Sequence, residues 1–261
     1  MNKKIPLFLS SLLLFSFGCG KKETGLRVAA TPVPHVQILQ SVKGDLKAEG
    51  YNLIIVETED YNVPNRSLAN KEVDANFFQH EPFLQEQIKH FHYPIESIAK
   101  IELEPMGVYS TKLKSIDDLK VGAQIAIPND PSNEARALLL LQSHGLIKLA
   151  NNNILTATPS NIVSNPKQLK FIEISAPMLP RSLADVDAAV INTNYALEAH
   201  LSPTTDALLL ENKNSPYANI LVIRIGDETR KDIQALKKAL TSEKTKKFIQ
   251  ETYHGAVIPA F

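Results

Sequence analysis

Four places in the chain carry side chains suited to chemistry. The first is the stretch Val73 to Phe83, V-D-A-N-F-F-Q-H-E-P-F, which gathers three aromatics, amides and an imidazole around one proline. Such density is either core with a satisfied histidine or one wall of a pocket. The second is Arg136, which opens the apolar run A-R-A-L-L-L-L just after the loop P-N-D-P-S-N. Free N–H groups and the dipole favour anions at a helix N-terminus, and a guanidinium there adds a fork that can grip a carboxylate through two bonds. The competing reading is an ion pair with Glu134 or another surface acid. The third and fourth are Asn192 and Asn219, which end or interrupt apolar strands. A buried amide must find partners. Its oxygen can accept from an ammonium, or the side chain can cap backbone in a turn. With Tyr61, Phe78, His80 and Phe83 around a side chain, these residues read as an amino-acid site.

Catalytic motifs are scarce. There is no G-x-S-x-G, no P-loop, no G-x-G-x-x-G and no H-E-x-x-H. His80-Glu81 only starts a zinc motif, because Leu84 stands where the second histidine would be. His90 and His92 read as a solvated helix end, so no metal and no cofactor is expected.

The elements that must position these residues repeat. Leu26 to Ala30 reads as a strand, T-P-V-P as a loop, and the run from His35 to Gly50 as a helix with a glycine stop. Leu53 to Val56 is a strand covered on both faces. Strand, proline loop and helix return at Gln124–Ile127, Pro128–Asn133 and Glu134–His144. A closer echo is R-S-L-A before V-D-A at 66–75 and again at 181–188. Ile98 to Ile101, Met106 to Tyr109, Phe171 to Ile174 and Tyr217 to Ile223 add strands, and 227–253 is mostly helical. The echoes imply two α/β lobes of one plan, and ligands at such sheets bind beyond the carboxyl ends of strands. That places a cleft between them.

With 261 residues the chain can bury two cores. Its 28 basic and 28 acidic residues leave no excess to attract phosphates, so nucleic acid is not an expected partner. The first residues are a separate matter. Lys3 and Lys4 precede an apolar run, Leu7 to Phe17, too short to span a bilayer comfortably. This is the pattern of an export signal. Cys19, the single cysteine, cannot form an internal disulfide. Between Gly18 and Gly20 it resembles a bacterial lipobox, whose cysteine takes a diacylglyceryl group and becomes the mature N-terminus. Phe17 and Ser16 depart from the usual small residue and leucine. Acyl chains such as palmitate, at about 0.8 kcal/mol per buried CH₂, hold such a protein at a membrane surface.

Several motifs together resemble the NlpA/MetQ family of lipoproteins. They are D-Y with P-N at 60–65, V-D-A-N with F-Q-H-E-P-F at 73–83, and A-I-P-N-D-P-S-N with R-A-L-L-L-L-Q at 126–142. L-P-R-S-L at 179–183, A-V-I-N at 189–192 and S-P-Y with Asn219 complete the set. The resemblance spans about Leu26 to Phe261. It implies an α/β two-lobed periplasmic-binding-protein fold, and a membrane-anchored lipoprotein of the bacterial cell envelope. It further implies binding of L-methionine or a related amino acid and delivery to an ABC permease with its ATPase. Arg136 would take the carboxylate, Asn192 and Asn219 the polar ends, and Tyr61, Phe78 and His80 the side chain. Phe83 stands where the family usually has tyrosine, and Glu134 where a small residue is common. The expected layout is a signal peptide at 1–18, a lipid-anchored tether at 19–25, one lobe from 26–109 plus 217–261, and a second from 110–216. Another amino acid, a methionine-containing dipeptide or an adhesin role are the alternatives. Replacing Cys19 with Ser should move the protein from the membrane to the soluble fraction; continued membrane attachment would mean another anchor.

Overall fold

The computed structural model describes residues 24–150 and 155–261. The expected export signal and Cys19 lie outside the described residues. Among the described residues no helix is long and apolar enough to cross a membrane.

The first segment runs β1 (Leu26–Ala30), α1 (Gln37–Ala48), β2 (Leu53–Glu57), α2 (Val63–Ala69), β3 (Ala75–His80), α3 (Glu81–Phe91) and β4 (Ile95–Leu103). The expected proline loop is a tight helical turn, Pro32–Val36, with Val33 extended inside it. The chain then crosses to β5 (Gly107–Tyr109), β6 (Gln124–Pro128), α4 (Pro131–Ser143), β7 (Lys148–Leu149), β8 (Ile162–Ser164) and β9 (Lys170–Ile174). It continues through α5 (Leu179–Ser182), β10 (Ala188–Ile191), α6 (Thr193–Glu198) and β11 (Leu209–Leu210). It returns as β12 (Ala218–Arg224), α7 (Lys231–Leu240), α8 (Glu243–Tyr253) and β13 (Ile258–Pro259).

Two sheets result, one per lobe. The first has the order β13-β4-β12-β3-β1-β2, the second β11-β5-β10-β6-β9, and β7 and β8 form a separate small pair. In the first, β1 is parallel to β2 and β3, while β12 lies antiparallel between β3 and β4. In the second, β6 is parallel to β9 and β10. Two segments cross between the sheets, residues 104–106 on the way out and 211–217 on the way back. The sequence boundary at 109 is therefore late: β5 pairs with β10 and β11, so it belongs to the second sheet.

Strand alternation sorts residues between helix layers. On β6, Ile125 and Ile127 pack with Leu138 and Leu141 of α4, while Ala126 faces the layer holding Leu179 and Ala196. On β12, Leu221 and Ile223 join the α1, α7 and α8 side, and Ile220 and Val222 the side of Leu68 and Leu84.

The repeated V-D-A has one structural role. Asp74 accepts the Arg27 N–H at 2.9 Å, and the Asp74 N–H donates to the Arg27 carbonyl. In the second lobe Asp187 accepts the Gln124 N–H at 2.7 Å, and the Asp187 N–H donates to the Gln124 carbonyl. Each aspartate thus pins the start of the neighbouring parallel strand, where one-sided pairing would leave an N–H free. Asp74 also meets Arg230 at 2.9 Å and Arg224 at 3.4 Å. Burial pushes its carboxyl up, but the Arg27 hydrogen bond and the arginines outweigh that and hold it below the usual range. Asp74→Ala should lower stability by about 1–3 kcal/mol in urea melts at neutral pH. Because the folded-state pKa is depressed, that difference should shrink as pH falls through the ordinary aspartate range. A loss that is independent of pH would contradict the carboxylate's role.

Candidate functional site

Between the lobes lies a pocket of about 320 Å³ with its open mouth included, and all seven side chains expected from the sequence line it. The first lobe supplies Tyr61 ahead of α2, Phe78 and His80 on β3, Phe83 on α3 and Asn219 on β12. The second supplies Arg136 on α4 and Asn192 at the start of α6. Five more residues line it: Gln79, Glu104, Asn133, Thr193 and Asn194.

The lobes touch across this space. Tyr61 donates its hydroxyl to Asn194 Oδ1 at 2.6 Å, and the Tyr195 hydroxyl reaches the Glu59 carbonyl at 3.2 Å. His80 bridges to Asn133 at 3.0 Å. His80 Nδ1 caps α3 by accepting the Phe83 N–H at 3.2 Å, so the proton sits on Nε2, which donates to Asn133 Oδ1. Burial, then the charge of Arg136, pushes the His80 pKa down to about 3. The imidazole is a neutral wall at physiological pH.

Local backbone aims the aromatic wall. In the β3–β12 ladder Phe77 faces Leu221 and Gln79 faces Ile220, leaving Phe78 without an opposite residue. This bulge re-aims the side chain. Phe77 goes into the core, with its ring against His35. Phe78 goes to the cavity, edge-on to Phe83 with centroids 5.9 Å apart. Tyr61 completes the box at 5.7 Å from Phe83 and 5.9 Å from Phe78. Phe83 is buried and packs well without a hydroxyl.

Arg136 is almost fully buried and does not pair with Glu134. Its partner is Glu211, with Nε to Oε1 at 3.0 Å and Nη2 to Oε2 at 2.5 Å. Nη2 also donates to the Glu104 carbonyl at 2.8 Å, and the guanidinium lies 4.4 Å above the Tyr217 ring. Burial alone would lower the arginine's pKa, and the charge of Glu211 more than reverses this. The expected two-bond fork is thus largely committed inside the protein. Nη1 is the guanidinium nitrogen that makes no bond among the described residues.

The opposite pole is rich in acceptors. Asn219 donates Nδ2 to Glu102 at 2.8 Å and to Glu104 at 2.9 Å. Carboxylates only accept, so the amide NH₂ must face them and Oδ1 is left for the cavity. Asn192 occupies the N-cap of α6 without capping it. Its Nδ2 donates to Asn133 Oδ1 at 2.8 Å, and its buried Oδ1 has no protein partner. Asn194 Nδ2 is likewise a buried donor without a partner. The cavity therefore offers spare donors, Arg136 Nη1 and Asn194 Nδ2, and spare acceptors, Asn192 Oδ1, Asn219 Oδ1 and Glu104.

The profile of the NlpA lipoprotein family matches residues 26–261. The chain belongs to that family. Its members are solute-binding lipoproteins and not enzymes. Over 97% of its length the chain is 40% identical to the methionine-binding lipoprotein MetQ of Bacillus subtilis (strain 168), covering 98% of that protein. It is 38% identical to the D-methionine-binding lipoprotein MetQ of Salmonella typhi, over 92% of this chain and 91% of that one. A nutrient-binding protein from Burkholderia cenocepacia, solved bound to methionine, shares 46% identity and superposes with a TM-score of 0.88. That match covers 90% of this chain and all of the other.

Glu134 is not the partner of Arg136 that the sequence left open. It is buried, it does not reach Arg136, and its Oε1 has no partner. Burial, then the charges of Glu173 and Asp130, pushes its pKa from 4.5 up to about 7. A folded-state pKa raised in an acid means the ionised form is disfavoured on folding. The penalty is absent below pH 4.5 and grows as pH rises to about 7. Glu134→Gln should therefore gain stability over the parent above pH 7 but not below pH 4.5 in urea melts. An equal effect at both pH values would refute this account.

Proposed function

We propose that the chain binds L-methionine in the interlobe cavity and delivers it to an ABC permease, held at the membrane through Cys19. One observation carries the ligand class: spare donors and spare acceptors stand around a cavity walled by aromatic rings. A zwitterion fits this arrangement. Its carboxylate meets Arg136 Nη1, with Asn194 Nδ2 beside the α6 start. Its ammonium meets Glu104, Asn219 Oδ1 and Asn192 Oδ1. Its side chain lies against Tyr61, Phe78 and Phe83, with neutral His80 at the end. A thioether is polarizable, and sulfur–aromatic contact favours it over a branched aliphatic by about 0.3–1.5 kcal/mol. The names of the relatives, and the methionine in the Burkholderia cenocepacia protein, support the same choice.

A second space, about 390 Å³ with its open mouth included, shares Tyr61 and Phe83 with the cavity and is edged by Asp60, Asn62, Gln87 and Asp130. It favours a methionine-containing dipeptide as the second reading. Cavity and mechanism both call for closure of two lobes on a small solute, with no bond made or broken.

Thermal shift on protein unfolded and refolded to strip ligand tests this with L-methionine, D-methionine, other amino acids and methionine dipeptides. A ligand at about 100 times its Kd adds about 2.7 kcal/mol of stability. No shift with methionine of either hand or with its dipeptides would sink the proposal. Arg136→Lys keeps a cation for Glu211 but lacks the planar fork. It should fold and lose about 1.5–3 kcal/mol of affinity; unchanged affinity would remove Arg136 from the site.

A further inference from the structure

Behind Glu104 three titratable groups meet with little to neutralise them. His35, from the turn Pro32–Val36, places Nε2 3.3 Å from Glu102 Oε1 and 3.2 Å from Glu104 Oε1. All three residues are at most 5% exposed. Asn219 Nδ2 touches each of them, at 2.8, 2.9 and 3.1 Å. Thr31 Oγ1 holds His35 Nδ1 at 2.7 Å. The Thr31 hydroxyl can accept from Nδ1–H or donate to Nδ1, so Nε2 is either a third acceptor or one donor shared between the two carboxylates. Glu102 Oε2, also buried, has no partner at all. In either case two buried carboxylates meet on one amide nitrogen with an oxygen left bare, and like charges so placed cannot both stay ionised, so one carboxyl keeps a proton. Asn219 turns its two N–H hydrogens into the cluster, so a bound cation would face them.

We propose that Glu102 and Glu104 share a proton in the ligand-free protein and release it to solvent when a ligand ammonium docks on Glu104. Glu102 and His35 are positioning residues in this scheme, because neither lines the cavity. The inference rests on the amino-acid reading of the site. The proton leaves the carboxyl pair, Glu104 becomes fully ionised, and the ammonium replaces the lost hydrogen with a charge-assisted bond.

The surrounding groups support it. Burial pushes Glu102 up to about 7 and, together with the charge of Glu102, Glu104 up to about 8. Burial pushes His35 down, so it stays neutral beside them. Tyr253 of α8 and Tyr61 face the pair and are pushed up by burial, so they stay protonated. Arg136 pulls both carboxyls down, but its charge is answered by Glu211. The sign follows. The ligand-free form holds more protons than the bound form, so affinity rises as pH climbs through about 7 to 8.

Calorimetry of L-methionine binding to the full protein, in buffers of different ionisation heat between pH 7 and pH 8, reads the released proton directly. Heat that varies with buffer, and affinity rising by up to roughly tenfold per pH unit at full release, are expected. Glu102→Gln removes one carboxyl and its charge, so it should still bind methionine while the buffer dependence and the pH slope flatten. A merely structural role for Glu102 would change affinity and leave both slopes in place. Buffer-independent heat in the unmodified protein overturns the proposal. Infrared spectra of the ligand-free protein give an arm that needs no variant and no ligand: a protonated-carboxyl band near neutral pH is expected, and its absence overturns the shared proton. Absence of any methionine heat with that band present would sink the ligand reading and the release step, and leave the shared proton standing.

Discussion

The buried guanidinium of Arg136 is the constraint on which the site depends. A cation so enclosed needs a counter-charge, since an unpaired buried charge costs several kcal/mol. Its partners are the Glu211 carboxylate and the Glu104 carbonyl, one on each of the two segments that cross between the sheets. Glu211 in turn ties the crossings to each other, because Met106 N–H donates to its carboxylate at 3.2 Å and the Glu211 N–H donates to the Met106 carbonyl. Residues 104, 136 and 211 thus form one joint. The residue that offers Nη1 to the cavity also fixes the geometry of both connections. Site and hinge cannot be adjusted separately.

Much of this was legible. Proline loops, glycine stops and apolar periodicity marked the strands and helices, and the repeated V-D-A marked a shared device in both lobes. The amides were legible because Asn192 and Asn219 interrupt otherwise apolar strands, where a polar group has few innocent explanations. The acids were not legible. I-E-L-E-P at 101–105 reads as an alternating strand with its acids in water, yet Glu102 and Glu104 are buried. They are buried against Asn219 and His35, and both of these come from far along the chain. His35 and Glu211 were hidden for the same reason: their partners lie more than 60 residues away. The arginine fork was misjudged because its edge faces Glu211, a pairing that no local spacing announces. The late boundary at 109 has a plainer cause, since a three-residue strand gives no sign of which sheet it joins.

The two lobes share a plan but divide the labour. Both use an aspartate to fix the start of the central parallel strand. Only in the first lobe is that aspartate held by arginines, so the matching position is electrostatically strong in one lobe and a plain hydrogen bond in the other. The cavity is likewise unequal: the first lobe supplies the aromatic rings with Gln79 and Asn219, and the second supplies the guanidinium with Asn133, Asn192 and Asn194.

Beneath the aromatic wall, Asn65, Asn76 and Gln79 close a buried ring of amide hydrogen bonds, at 2.6 to 2.9 Å, on the strand that carries Phe78 and His80. No member of that ring can ionise, and His80 itself stays neutral. The end of the cavity that reads a side chain is therefore supported without charge, while the end that holds the polar groups is built from it. Acidity can then change how tightly a solute is held without changing which side chain is preferred, so the protein's selectivity and its strength of grip are set by different physics at opposite ends of one small space.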